Sequence, residues 1–74
     1  MPVHYFHCTD GTDLIIDRRG QRTRSKREVH LRAFSLAAEV MRAAPEVDWS
    51  QWIVSVHDRR GGMVATVPFP AGRA

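Results

Sequence analysis

Between Ser25 and Ala44 the apolar residues return every three to four positions. Wound at about 100° per residue, Val29, Ala33, Phe34, Leu36, Ala37, Val40, Met41 and Ala44 gather on one arc, with His30 at its side. Glu28, Arg32, Ser35, Glu39 and Arg42 fall opposite. The spacing predicts an amphipathic helix over Ser25–Ala44. Ser25 followed by Glu28 is a capping-box signature, in which each side chain satisfies an orphan backbone N–H. Glu28 and Arg32 stand i,i+4 in the favourable order. Pro45 cannot continue the helix.

On both sides of the helix the period drops to two. Val3–Cys8 reads as a first strand and Leu14–Ile16 as a second, joined at Asp10-Gly11. A two-residue turn there would set Phe6 opposite Ile15 and His7 opposite Leu14. Trp49–His57 reads as a third strand and Met63–Val67 as a fourth. A three-residue loop with a glycine bulge would align Val56 with Val64. The tetrapeptide Asp17-Arg18-Arg19-Gly20 ends the second strand and recurs as Asp58-Arg59-Arg60-Gly61. Asp at the first position and Gly at the fourth is turn chemistry, so the repeat predicts two hairpins flanking the helix. Pro68 and Pro70 mark the end of an edge strand and a tail from residue 68.

The order strand, strand, helix, strand, strand predicts an α+β domain over residues 1–74, a four-stranded antiparallel sheet with one helix on one face. One helix covers one face only. The expected bare face holds Tyr5, His7, Leu14, Ile16, Ile53, His57, Met63 and Val67. An exposed apolar patch of that kind marks an association surface, so a homodimer is expected. A chain of 74 residues has a modest core, which favours self-association further.

Charge changes this picture only locally. The formal net charge is +3, and seven cations from Arg18 to Arg32 crowd into fifteen residues. Of these, Arg18, Arg19, Arg22, Arg24, Lys26 and Arg27 form a candidate phosphate footprint, giving nucleic-acid binding as the alternative function. No aromatic residue lies among them in sequence to stack on bases. No apolar run spans a membrane and no leader pattern opens the chain; a single cysteine, Cys8, excludes an internal disulfide. These features predict a cytoplasmic protein.

Catalytic and metal-binding sets are not evident. His4, His7, Cys8 and Asp10 are close in sequence, but His4 and Cys8 point to one side of a strand and His7 to the other. Cys8 reads as a small buried hydrophobe, and Trp49 and Trp52 as core and core rim. No carboxylate pair, phosphate loop or nucleophile elbow occurs. The expectation is a protein without enzymatic activity, cofactor or metal. His7 and His57 share the bare face, where their protonation would oppose association.

The opening Met1-Pro2 with Phe6-His7 and Asp10-Gly11, the turns Asp17/Gly20 and Asp58/Gly61, Glu39 in an alanine-rich helix, and the ending Val67-Pro68-Phe69 resemble a family of short, uncharacterised bacterial proteins. The resemblance covers nearly the whole chain. It implies a domain of unknown function with no assigned activity, cofactor or substrate. The arginine pairs Arg18-Arg19 and Arg59-Arg60 stand where such turns are often acidic.

Overall fold

A computed structural model describes residues 2–70. Its elements run β1 (Val3–Thr9), β2 (Leu14–Ile15), β3 (Gln21–Arg22), α1 (Lys26–Ala43), β4 (Ile53–His57) and β5 (Met63–Pro68). The sheet is antiparallel, in the order β2-β1-β4-β5, with β3 also paired to β1. The class is therefore α+β as expected, but with five strands and not four. The second strand breaks after Ile15, and the chain rejoins the same edge of β1 at Gln21.

The helix begins where its cap predicts. Ser25 accepts from the Glu28 N–H at 3.1 Å. The returning half of the box is displaced by one residue, since the Glu28 carboxylate accepts from the Arg24 N–H at 2.7 Å. Arg32 meets Glu28 at 3.4 Å and also donates to Gln21 Oε1 at 2.7 Å, tying helix to β3. Val29, Ala33 and Ala37 are buried. These small residues let the helix lie close on Phe6, Cys8, Val54, Val56 and Val67, with Leu36, Val40 and Met41 alongside. The buried stripe is narrower than the apolar arc: Phe34 sits at its margin, 51% exposed, and His30 is exposed too.

Both hairpin registers differ from expectation, with different consequences. In the first, Cys8 pairs with Ile15 and Thr9 with Leu14. The Asp10 carboxylate accepts from the N–H groups of both Thr12 and Asp13 (2.9 and 2.7 Å), which stabilises a longer loop than Asp-Gly alone. This slip is even, so the paired side chains keep their faces. In the second, Val56 pairs with Ala65 and His57 with Met63, leaving Val64 as the bulged residue. This slip is odd. It turns Ala65 and Val67 to the helix side, where Val67 joins the core at 9% exposure.

Trp49–Trp52 is a turn and not the start of a strand. Asp48 accepts from the Ser50 N–H at 3.0 Å, and the Trp52 N–H donates to the Trp49 carbonyl at 3.1 Å. The Trp49 indole N–H donates to the Ala44 carbonyl at 2.9 Å, which also accepts the Val47 N–H at 3.2 Å just past the helix end. Trp52 is buried and Trp49 packs at the core's rim, the reverse of the order expected. Phe69 corrects the expected tail. It is buried at 8%, its N–H donates to the Trp52 carbonyl, and its ring packs 5.6 Å from Trp49. The rest of that expected tail, residues 71–74, lies outside the described residues.

Candidate binding face

Helix α1 packs on the side of β1 and β4 that carries Phe6, Cys8, Val54 and Val56. The alternate residues therefore line the other face, and cross-strand pairing orders them into rows. Tyr5, His57 and Met63 form one row; His7, Ser55 and Thr66 the next; Leu14, Thr9, Ile53 and Pro68 the last. Val3 and Arg22 pair at the end beyond Tyr5.

The middle of this face is polar and hydrogen-bonded. The imidazoles of His7 and His57 lie 5.3 Å apart, tilted by 43°. The Asp17 N–H donates to His7 Nδ1 at 3.0 Å, which leaves the His7 proton on Nε2. His57 has the opposite tautomer. Its Nδ1 donates to the Gly61 carbonyl at 3.2 Å, and its Nε2 accepts the Ser55 hydroxyl at 2.7 Å. Ser55 is buried, and this bond satisfies it. Large apolar residues lie at the rims, with Met63 at 64% and Leu14 at 56% exposure.

Two Asp-Arg-Arg-Gly turns stand beside the Val3–Tyr5 end. The first fills the gap between β2 and β3. One oxygen of the Asp17 carboxylate accepts from the Phe6 N–H at 3.1 Å, taking the place of the missing strand carbonyl. The other accepts from Arg19 and Gly20 (3.0 and 3.1 Å). Burial alone would raise the pKa of Asp17. The N–H groups of Gly20, Phe6 and Arg19, with His7 nearby, outweigh burial and hold it below the ordinary value. Gly20 has φ +75°, and a Cβ there would meet Val3 Cγ1 at 2.7 Å and Tyr5 Cε2 at 2.9 Å. The second turn closes the β4–β5 hairpin. Asp58 accepts from Gly62 at 2.8 Å and Arg60 at 3.0 Å, and the Gly62 bond leads in holding its carboxyl below the usual range. Pro2, Val3, Asp58, Arg59 and Arg60 line a shared hollow. Both turns thus neighbour Val3, from opposite sides of β1.

Of the residues expected on the association face, Tyr5, His7, Leu14, Ile53, His57 and Met63 lie on it. Val67 does not, for the register reason above. Ile16 does not either: beyond the strand break it lines a hollow with Phe6, Cys8 and Leu36 on the helix side. The six cations expected as one footprint are divided. Arg18, Arg19 and Arg22 belong to the open-face end. Arg24 and Lys26 flank a hollow with His4, Thr23 and Val64 toward the helix start, and Arg27 is exposed on its first turn. Among the described residues none of Arg18, Arg19, Arg22, Arg59 and Arg60 forms an ion pair.

Sequence reasoning missed the roles of Ser55 and Thr66 on this face, and read the paired arginine turns chiefly as turn chemistry. Ser55 could have been found from its i,i+2 spacing to His57 on a strand. Thr66 required the odd register. Cys8 is buried; burial first, then the Asp17 charge, raises its thiol to about 11. Among the described residues no three His, Cys, Asp or Glu side chains converge for a metal. Among the described residues no helix is long and apolar enough to cross a membrane.

No curated protein and no solved structure matches this chain. The model of one family, a domain of unknown function designated DUF6894, matches residues 3–70, which take in both hairpins, the helix and both arginine turns, and the chain belongs to that family.

Proposed function

We propose that this protein is a small interaction module, without chemistry of its own, that pairs with a second copy along the outer edge of β5. One observation carries this. β5 is a six-residue strand, bulged at Val64, with β4 on one side and, among the described residues, no strand on the other. Met63 is 64% and Val64 41% exposed there, and the strand carries no charged residue. Such an edge is a template for another strand. The opposite edge is blunted: β2 and β3 have two residues each, with the Asp17 turn between them. The polar centre of the open face, where His57 holds Ser55, favours the edge over face-to-face pairing.

Antiparallel pairing of β5 with itself gives a two-fold joined sheet with the same rows on both copies. Light scattering on a sizing column tests it. A species of twice 8.4 kDa is expected at high micromolar concentration, reverting to monomer with Val64→Lys/Thr66→Lys. A monomer of the unaltered chain at that concentration ends the proposal.

A further inference from the structure

The open face between the two Asp-Arg-Arg-Gly turns has a second property, independent of the β5 edge. Arginines that form no ion pair among the described residues flank half-buried rings there. Stacking needs ring faces within reach of solvent, and Tyr5, His7 and His57 are half-buried side chains on the uncovered face. Tyr5 is the direct cross-strand partner of His57, whose ring lies 5.3 Å from His7. Around this platform stand Arg18 and Arg19 in one turn, Arg59 and Arg60 in the other, and Arg22 opposite Val3. Asp17 and Asp58 offset part of that charge, leaving each turn at net +1, so with Arg22 the end of the face carries +3. The separation seen in the sequence, basic residues without aromatics, is removed by the fold.

We propose that this face binds single-stranded nucleic acid, its bases resting on Tyr5 and His57 and its phosphates drawn to the arginines of the two turns. A single strand offers base faces to aromatic side chains, whereas a duplex stacks them away. Stacking is indifferent to base identity, and the face presents no set of donors in fixed geometry for base edges. The binding is therefore sequence-tolerant and salt-sensitive. Neutralising about three phosphates of a single strand gives a log–log salt slope of roughly −2, or about a 15-fold loss between 50 and 200 mM salt.

Fluorescence anisotropy with a labelled oligothymidylate of about twelve nucleotides tests this, with a duplex of equal length alongside. Binding of the single strand, with that salt slope and at least about fivefold over the duplex, is expected. Arg59→Ala/Arg60→Ala is expected to weaken binding several-fold and flatten the slope by about 1. Tyr5→Leu is expected to weaken it about tenfold and leave the slope unchanged. Lys26→Ala/Arg27→Ala, at the helix start, is expected to change affinity less than about twofold. The proposal is overturned by no anisotropy change at 50 mM salt, by equal duplex binding, by an unaffected Tyr5→Leu protein, or by displacement with polyglutamate as readily as with unlabelled strand. It is also overturned if the Lys26/Arg27 pair matters more than Arg59/Arg60. The same titration with the single Val64→Lys protein, altered on the side of β5 away from the Tyr5–His57 platform and checked as a monomer by light scattering, separates it from self-pairing, because the platform is complete in one copy.

Discussion

The chain writes Asp-Arg-Arg-Gly twice, and the two copies do different work. The copy at Asp58 is a self-contained hairpin turn. Its carboxylate caps its own loop, and Gly61 (φ +89°) has open space around its Cα. The copy at Asp17 is embedded. Its carboxylate reaches across to the Phe6 N–H in the middle of β1, and Gly20 lies against Val3 and Tyr5. One tetrapeptide therefore encodes a turn in both places, but only at the first does it also repair a broken sheet edge. Local chemistry fixes the bend; the neighbour decides what the bend is worth.

The largest difference is expected at the glycines. Gly20→Ala combines a left-handed backbone with overlap against two side chains, and about 3 kcal/mol of stability should be lost in urea unfolding. Gly61→Ala meets only the backbone penalty, about 1 kcal/mol. Equal losses would mean the first turn is not seated on Val3 and Tyr5. Next come the aspartates. Asp17→Ala leaves the Phe6 N–H without an acceptor, and about 1–2 kcal/mol is expected after allowance for solvent around the carboxylate. Asp58→Ala releases only exposed loop N–H groups, and its melting temperature should fall by less.

Acid sharpens the same contrast. The Asp17 carboxyl is held below its ordinary 3.8 when folded. Its contribution is therefore present above that pH and drains away as pH falls through the lower folded-state value. An acid titration of stability should show a step below pH 3.8 that Asp17→Ala removes. The smallest effect is on Cys8. Its thiol, raised to about 11 chiefly by burial, should react at pH 8 roughly a hundred times more slowly than an ordinary thiol of pKa 9.0. Asp17→Asn should speed that reaction about twofold by removing the lesser contribution, and Asp58→Asn should not change it.

Much of this fold is legible in the sequence where a signal is local. Ser25, Glu28 and Pro45 bound the helix, and the alternation around Phe6 and Val54 gives the strands. The even slip of the first hairpin is harmless because faces survive it. What stays hidden depends on side chains bridging segments. The odd slip at Val64 moves Val67 into the core and brings Thr66 onto the open face. The break after Ile15 is stable because Asp17 supplies the missing acceptor, which no propensity encodes. The arginines looked like one loop, and the sheet sorts them into two groups while bringing Arg59 and Arg60 to the first.

Trp49, Trp52 and Phe69 form one aromatic knot where the helix end, the start of β4 and the end of β5 meet, with ring centroids 4.9 to 6.1 Å apart. β4 separates that knot from the arginine turns by a strand length of about 13 Å. Indole emission is thus a built-in reporter of one pole of the molecule. It registers undocking of the helix or of Phe69 and is blind to events at the other pole, so loss of a ligand and loss of the fold can be told apart in a single cuvette.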